Sequence, residues 1–333
     1  MTLADVAEYA GVSASTASRA LNGRGELSAE TRAAVLEAAD VLHFEPSHLA
    51  RSLRTRTTYT VGFVVPDVSS PFYATALKGA QGALEQAGYR VLLMDSSQAD
   101  DGEVAALRTL LAHRVDGLLL STVGIDRERF DGLVTRRGIP CVFFDSALEG
   151  AGEGTVLLDN VRGIELLVDH LVGHGHLRIG LLVGSVRETS GWERREAFED
   201  AMRSRGLSVD AALIDGGQWT REEGLDATLR ILAAEPRPTA LVSSSVELAL
   251  GALLACRKLG LRIPEDVALA TFDDAYFAEL LDPPLTAVAY DPSEVGLQAA
   301  ELLVEAIGDV DSKRRHVTVP VALITRRSCG CAS

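Results

Sequence analysis

From Thr60 onward, apolar runs of strand length alternate with segments that have a helical pattern. A first set of runs reads T-V-G-F-V-V, Y-R-V-L-L-M-D, V-D-G-L-L-L-S and I-P-C-V-F-F-D, and a second set reads R-I-G-L-L-V-G, A-A-L-I-D-G, T-A-L-V-S-S-S and D-V-A-L-A-T-F-D-D. Apolar strands separated by helices are typical of parallel sheets covered on both faces. We therefore predict two lobes of about 110 to 130 residues each, built on doubly wound parallel sheets, with a ligand cleft at the carboxyl ends of the strands.

The first 45 residues instead show three short helical patterns, as expected for an all-α domain. T-L-A-D at residues 2–5 resembles a capping box, and Ser13 is positioned to cap a second helix in which Ala17 and Leu21 face inward. A third helix begins at Ser28. The first two helices are joined by a tight G-V-S turn, which predicts a helix-turn-helix.

The second of these helices has the features of a helix that reads DNA. It would enter the major groove with its amino end first and expose Ala14, Ser15, Ser18, Arg19 and Asn22. Arg19 can bind guanine in a bidentate manner, and the small Ala14 and Ser15 allow close approach to the bases. The alternative is a structural helical hairpin whose hydroxyl groups only cap helices.

A short segment separates the helical part from the strands. Pro46 ends the third helix, and S-H-L-A-R-S-L-R is too short to form a stable helix alone in water. We therefore predict a helix-turn-helix domain over residues 1–45, a hinge and linker over residues 46–59 and the two-lobed core over residues 60–328.

The net charge of the chain has the wrong sign for nonspecific coating of nucleic acid. The chain carries 32 basic and 47 acidic residues, which gives −15. Residues 1–58 contain six arginines and seven acids, so they contribute −1 and the remainder contributes −14. A protein that coats nucleic acid is basic. Most of the electrostatic repulsion therefore belongs to the predicted core.

Motifs of several other protein classes do not occur in the sequence. It shows no signal-peptide pattern and no uncharged run of ~18 residues, so we expect a soluble, cytoplasmic protein with no membrane partner. Cys141, Cys256 and the C-G-C of residues 329–331 are interpreted as reduced cysteines, and the H-G-H of residues 174–176 as part of a turn, so no metal site is expected. Dinucleotide, phosphate-loop and nucleophile-elbow motifs do not occur, so we expect no cofactor and no enzyme activity.

Three runs carry a resemblance to a known family. They read T-L-A-D-V-A-E-Y-A-G-V-S-A-S-T-A-S-R-A-L-N-G, F-E-P-S-H-L-A-R-S-L-R-T and V-G-F-V-V-P-D-V-S-S-P-F-Y, and D-N-V-R-G, G-H-L-R-I-G-L-L, F-D-D and P-P-L-T-A-V follow in order. Over its whole length the chain closely resembles the lac-repressor/galactose-repressor family of bacterial transcription regulators. The resemblance implies a core like that of periplasmic binding proteins, a homodimer, operator DNA with an inverted repeat, and a small-molecule effector.

The resemblance also implies a role for the hinge. In that family the hinge folds into a helix on DNA, and a leucine from each subunit wedges into the minor groove. Leu53 matches this leucine, with Ala50 beside it; such a wedge costs a few kcal/mol of unstacking, which contacts to the bent duplex offset. The implied DNA-binding residues are Thr2, Leu3, Ser13, Ala14, Ser15, Thr16, Ser18, Arg19, Asn22, Ala50 and Leu53.

The effector residues follow from the same resemblance. Arg194 matches an arginine that clamps hydroxyls or a carboxylate, Trp219 matches an aromatic that stacks on a sugar or a base, and Asp273 matches an acid that accepts from ligand hydroxyls. Ser190 lies one helical turn before Arg194. The residues implied to line the cleft are Phe72, Tyr73, Asp145, Ser190, Arg194, Trp219, Ser245 and Asp273.

One position departs from the family pattern. The family has Asn-Asp before A-L-G, whereas this chain has Ser245 and Val246 in S-S-S-V-E-L-A-L-G. Ser245 keeps one hydroxyl, but Val246 is expected neither to donate, nor to accept, nor to cap. We therefore expect the effector to make different contacts at this position from those that the family pattern implies.

We interpret the chain as a homodimeric repressor of genes for carbohydrate uptake or catabolism, controlled by a sugar in the cleft. A purine-like ligand could use the same aromatic stack. One alternative is a cytoplasmic α/β sugar-processing enzyme with a helical oligomerisation leader, which would need a catalytic pair in the cleft. A second is a secreted sugar-binding protein, which would need a signal peptide.

Overall fold

The computed structural model describes residues 1–21, 27–44, 57–97, 100–309 and 313–331. Two compact units make up the chain, Met1–Tyr59 and Thr60–Ser333. Within the described ranges, no helix combines the length and the apolar character that a membrane span requires. Asn22, Ala50 and Leu53, which the sequence assigns to DNA binding, lie outside the described residues, as does most of the predicted hinge.

The described residues of the first unit form three helices: α1 (Leu3–Tyr9), α2 (Ala14–Leu21) and α3 (Ala29–Val41). Thr2 and Asp5 form the predicted capping box, because the Thr2 N–H donates to Asp5 Oδ2 at 2.7 Å and the Asp5 N–H donates to Thr2 Oγ1 at 3.4 Å. Val6, Ala17 and Val35, one from each helix, are fully buried against one another. The predicted helix-turn-helix is confirmed.

Two six-stranded sheets lie at the centre of the second unit. The first contains β1 (Thr60–Val65), β2 (Arg90–Asp95), β3 (Gly117–Leu120), β4 (Cys141–Phe144), β5 (Gly154–Leu158) and β11 (Arg315–Val319). The second contains β6 (Ile179–Val183), β7 (Ile214–Gly216), β8 (Ala240–Ser243), β9 (Ala268–Phe272), β10 (Thr286–Ala289) and β12 (Ala322–Ile324). The strand orders are β11-β5-β4-β3-β1-β2 and β12-β10-β9-β8-β6-β7, and the single antiparallel pairing among these described strands joins β10 to β12.

The helices of the second unit cover these sheets. They are α4 (Pro71–Gln86), α5 (Asp100–Ala112), α6 (Arg127–Leu133), α7 (Asn160–Gly173), α8 (Thr189–Ser204), α9 (Arg221–Leu232), α10 (Val246–Leu259) and α11 (Pro292–Gly308). All residues of β3, β4, β6, β8 and β9 are buried, as expected for strands covered on both faces. The predicted fold class, an all-α helix-turn-helix domain plus a two-lobed α/β core, is confirmed.

The lobes are not two consecutive stretches of chain, although the two sets of strands suggested that they would be. Helix α11 packs on α4 in the first lobe and β11 pairs with β5 there, yet both follow the second lobe in the sequence. The chain therefore crosses between the lobes at Asp159, at residues 290–291 and at residues 320–321. Strands β5, β10, β11 and β12 were not predicted, because these runs are short or partly polar.

Glycines permit a close helix crossing in each lobe. A Cβ atom on Gly79 of α4 would lie 2.0 Å from a backbone oxygen of α11, and one on Gly296 of α11 would lie 1.8 Å from the carbonyl oxygen of Ala76. Helices α9 and α10 approach each other at Gly224 and Gly251 in the same way. Because protein interiors are close-packed, a side chain at these positions would push the helices apart.

Replacing one of these glycines tests the crossing. The G296A substitution should lower the free energy of unfolding by ~1 to 3 kcal/mol, because α4 and α11 must separate to admit the methyl group. Urea denaturation measures this change. G308A is the matched control, since it lies at the end of the same helix and its Cβ would meet nothing within 4 Å. Equal stabilities for the two variants would contradict the steric argument.

Candidate functional site

A cavity of about 510 Å³ lies where the carboxyl ends of the strands of both sheets meet. All eight residues that the sequence assigns to the effector cleft line this one cavity, four of them on segments that follow β4, β7, β8 or β9. Their role in binding stays a prediction. The volume lies within the range of small-molecule pockets, ~300 to 1,000 Å³.

Two aspartates occupy matching positions in the two lobes. Asp145 directly follows β4 and Asp273 directly follows β9, and both have a left-handed backbone, with φ of 62° and 72°. The Tyr73 hydroxyl donates to Asp145 Oδ2 at 2.8 Å, and the Tyr290 hydroxyl donates to Asp273 Oδ1 at 2.6 Å. A left-handed non-glycine residue costs ~1 to 2 kcal/mol, and such strain is characteristic of functional sites.

Burial shifts the acidities of these groups. Burial and the neighbouring Asp145 raise the pKa of Tyr73 well above its usual range, and burial and Asp273 do the same to the pKa of Tyr290. Burial also raises the pKa of Asp145. Both phenols therefore stay protonated at neutral pH and act as hydrogen-bond donors to the carboxylates.

Arg194 is a buried cation with several partners. It is 3% exposed, and its guanidinium stacks 3.7 Å from the centre of the Phe272 ring. Its Nε donates to Asn160 Oδ1 at 2.8 Å and its Nη1 donates to the carbonyl oxygen of Ser244 at 2.6 Å, while Asp273 Oδ1 lies 4.0 Å from Nη1. These two bonds use two of the five N–H donors of a guanidinium.

The half-buried Trp219 and the buried Glu188 form a second pair. Trp219 Nε1 donates to Glu188 Oε1 at 2.9 Å, and the indole lies so close to Gly184 that a Cβ there would be 2.2 Å from the ring. Glu188 is 5% exposed, and burial followed by the nearby Asp145 raises its pKa to about 7. The sequence analysis missed Glu188 because an acid before a helix reads as an ordinary cap.

The remaining predicted side chains lie around these pairs. Phe72 contacts Tyr73 edge to face with ring centres 4.9 Å apart, and Ser190 is buried in the first turn of α8. Ser245 caps α10 by accepting from the backbone of that helix. The apolar side chain of Val246 has no donor or acceptor, as expected, whereas its backbone N–H donates to Asp273 Oδ2 at 3.4 Å.

The start of α8 bonds directly to the first lobe. The Thr189 N–H donates to Ser146 Oγ at 3.0 Å, and Thr189 Oγ1 accepts from the Ala147 N–H at 3.0 Å. The sequence analysis did not predict these contacts, nor the roles of Tyr290 and Asn160, which lie at segments where the chain changes lobes. Separating the lobes at this point would break the two hydrogen bonds.

The cleft is predominantly acidic. Among the residues that the structure describes, seven acidic side chains and two guanidinium groups line it: Asp67, Asp145, Glu188, Glu222, Glu247, Asp273, Asp274, Arg194 and Arg221. Both guanidinium groups already have carboxylate or carbonyl partners within the protein. The cavity is therefore better suited to a ligand that donates hydrogen bonds than to an anion.

Helix α2 of the first unit presents polar side chains to solvent. Ser13, Ala14, Ser15 and Arg19 are exposed, whereas Thr16 and Ser18 are half-buried. Arg19 lies back along the helix, with Nε donating to the Ser15 carbonyl and Nη2 donating to Thr16 Oγ1, both at 3.4 Å. Among the other predicted DNA-binding residues, Thr2 is exposed at the N-cap of α1, and Leu3 is half-buried and packs against the core of this unit.

The raised pKa of Glu188 predicts a pH-dependent effect on stability. The folded protein holds this proton more tightly than the unfolded chain, whose carboxyl has its usual pKa near 4.5, so stability from this group is lost as pH rises from 4.5 through 7. As the pH rises from 5 to 8, the unfolding free energy of the wild-type protein should fall by ~2 kcal/mol more than that of E188Q. Urea denaturation at each pH measures this difference. E222Q is the exposed control, since the hydrogen bond from Arg221 lowers the pKa of Glu222. Identical pH profiles for E188Q and E222Q would rule out this assignment.

Two family models match the chain. The model described as bacterial regulatory proteins, lacI family, matches residues 2–47, and the periplasmic binding protein-like domain matches residues 168–329. A solved lac repressor dimer bound to operator and the anti-inducer ONPF is similar with a TM-score of 0.87 and 26% identity, covering 99% of both chains. A complex of the transcriptional regulator CelR with cellobiose has a TM-score of 0.75 and 30% identity, covering 98% of this chain and 99% of that one.

A curated relative extends the match over the whole chain. The HTH-type transcriptional repressor PurR of Pasteurella multocida (strain Pm70) is 30% identical over 327 residues, which is 98% of each chain. The relatives are transcriptional repressors and not enzymes. With its helix-turn-helix, its two-lobed core and this full-length similarity, the protein belongs to the lacI family of bacterial regulatory proteins and is a DNA-binding transcriptional repressor.

Proposed function

We propose that this repressor is controlled by a neutral sugar bound in the cleft, and that it represses genes for carbohydrate uptake or catabolism. The observation that carries the proposal is the pair of tyrosine-held carboxylates, Asp145 and Asp273, which line one cavity from opposite lobes. Carboxylates accept hydrogen bonds from sugar hydroxyls, and the flat face of Trp219 suits the C–H face of a sugar ring.

The charge of the cleft supports a neutral ligand. A phosphorylated sugar would face seven acidic side chains, and the guanidinium of Arg194 is already shared with Asn160, Ser244 and Asp273. The similar CelR structure contains cellobiose, which is a neutral disaccharide. A nucleobase is the second candidate, because an indole face also stacks on planar rings.

Control of DNA binding would follow from the relative position of the lobes. A ligand that contacts both Asp145 and Asp273 binds better when the lobes are close, a state in which Thr189 also bonds to Ser146 and Ala147. The lobe position would be transmitted through residues 46–59 to the DNA-binding domain. A coupling of ~1 to 3 kcal/mol would change operator occupancy ~5- to 150-fold.

Binding to DNA would use α2 in the major groove of each half of an inverted repeat, with one subunit of a homodimer on each half. Arg19 is the exposed side chain of α2 with the strongest capacity to distinguish guanine. Within the hinge, Leu53 and Ala50 would contact the minor groove at the centre of the repeat.

An alanine substitution of Arg19 tests the DNA-binding helix. R19A should weaken binding to an operator selected from a random library by ~1 to 3 kcal/mol and relax the preference at one base pair in each half-site. Fluorescence anisotropy on the operator, on variants of that base pair and on random DNA measures both effects. R108A is the control, because Arg108 is an exposed arginine of α5 in the other unit.

Two results would contradict this interpretation. If R19A lost affinity equally for operator and random DNA, Arg19 would contact only phosphates. If an isolated half-site bound the wild-type protein as tightly as the complete inverted repeat, the homodimeric arrangement would be wrong.

A substitution of Asp273 tests the effector site. D273N keeps an oxygen that accepts from the Tyr290 hydroxyl but removes the charge. It should weaken sugar binding ~10- to 150-fold, which corresponds to the free energy of a hydrogen bond to a charged group. Operator binding without sugar should not change. Calorimetry with mono- and disaccharides, and with nucleobases for comparison, identifies the ligand and measures the loss.

D282N is the matched control, because Asp282 is 94% exposed. Binding of a nucleobase and of no sugar would overturn the ligand class. Wild-type sugar affinity in D273N would overturn the site.

A further inference from the structure

Four potential metal ligands lie together in the second lobe, at the end of α7 that is remote from the cleft. His170 and His174 are at the carboxyl end of α7, and Cys329 and Cys331 are in the segment that follows β12. One ligand atom of each residue lies within 4.8 Å of the others. Cys331 Sγ is 3.2 Å from His174 Nε2 and 3.4 Å from His170 Nε2, and Cys329 Sγ is 3.0 Å from His170 Nε2.

Local backbone structure explains why these atoms converge. His170 and His174 are four residues apart, so they lie on the same face of α7 about one turn apart. A short 3-10 helix, Arg327–Cys329, ends at Gly330, whose φ of 90° reverses the chain. The reversal brings Cys331 Sγ within 2.9 Å of Cys329 Sγ, with both thiols free.

The cysteine side of the cluster is rigidly anchored. Cys329 is 1% exposed, and its Sγ lies 3.0 Å from Thr286 Oγ1 and 3.2 Å from the carbonyl oxygen of Arg326. The neighbouring Ser328 hydroxyl donates to the carbonyl oxygen of Leu269 at 2.6 Å. The bond from the Cys329 thiol to Arg326 is lost when the thiol proton leaves, whereas the bond from Ser328 remains and holds the segment in place, as surrounding hydrogen bonds do at metal sites.

We propose that His170, His174, Cys329 and Cys331 bind one Zn²⁺ ion. Two thiolates and two imidazoles are a tetrahedral zinc ligand set, with Zn–S of ~2.3 Å and Zn–N of ~2.0 Å, which places neighbouring ligand atoms ~3.3 to 3.8 Å apart. The ligand atoms are now 2.9 to 4.8 Å apart, and side-chain rotations that move them by about 1 Å bring them to these values. Each Zn–S bond replaces an S–H bond, and the two protons leave to solvent.

The softness of the ligand atoms and the electrostatics of the site both favour Zn²⁺. Thiolates and imidazoles favour zinc over magnesium and calcium, which take oxygen ligands. The site also lies at the carboxyl end of α7, where the helix dipole stabilises a cation. The negative charge of two thiolates and the divalent ion balance each other within the site.

The sequence did not predict this site, because H-G-H at residues 174–176 was interpreted as part of a turn. In the structure His174 joins the cluster together with His170, one turn earlier in α7, while His176 Nδ1 lies 2.9 Å from Thr239 Oγ1. The C-G-C motif alone offers two ligands. The other two, His170 and His174, lie about 155 residues earlier in the chain.

The ion would join the segment that follows β12 to α7. The other end of α7 begins at Asn160, which accepts from Arg194 in the cleft. Zinc would thus hold α7 at one end while the ligand site holds it at the other. We expect zinc to stabilise the second lobe and to leave the sugar affinity within about twofold, since ~20 Å of helix separates the two ends.

The test uses the full-length reduced protein. After removal of metal with a chelator, titration with Zn²⁺ should load one ion per chain and raise the thermal midpoint, and Co²⁺ should give the visible and thiolate charge-transfer absorption of a tetrahedral thiolate site. C331S and H174A should lose the bound ion on dialysis and lose the thermal shift. H176A is the matched control and should behave like the wild-type protein.

Three results would overturn the proposal. One is a reduced wild-type protein that binds no Zn²⁺ or Co²⁺, including the case in which Cys329 and Cys331 form only a disulfide. Another is wild-type metal content in both C331S and H174A. The third is loss of metal in H176A as well, which would place the ion elsewhere. Because His174 is exposed and Cys331 half-buried, circular dichroism should show both variants folded.

Discussion

The buried guanidinium of Arg194 holds together the second-lobe side of the cleft. A cation removed from water costs several kcal/mol unless protein groups replace its hydration. The replacing groups come from separate elements: Asn160 at the start of α7, Ser244 after β8, and Phe272 and Asp273 at the end of β9. The charge therefore fixes the ends of these elements relative to one another, and the rest of the cleft depends on that arrangement.

The two lobes use the same construction at the cleft. In each, an aspartate in a left-handed conformation follows a strand and accepts from a tyrosine hydroxyl. Tyr290 differs from Tyr73 in that it lies on a segment where the chain changes lobes. Movement of one lobe against the other therefore acts directly on the hydrogen bond between Tyr290 and Asp273, which makes the site sensitive to lobe position.

Part of the fold and of the candidate site followed from the sequence. Strand-length apolar runs predicted eight of the twelve described strands, since strands buried on both faces leave a continuous apolar signal. The polar β11 and the short β12 left none. Family resemblance located cleft residues such as Asp273, but the partners that set their chemistry, Tyr290 and Glu188, are defined by three-dimensional contacts between distant segments.

The chain passes between the lobes three times, and this order determines when each lobe can fold during synthesis. The first lobe needs α11 to cover its sheet and β11 to complete its edge, and both are made after the whole of β6 to β10. Neither lobe can therefore finish folding as it leaves the ribosome, although domains generally fold as units in order of synthesis. Until residue 319 has emerged, β5 presents an unpaired edge, and unpaired edges promote aggregation.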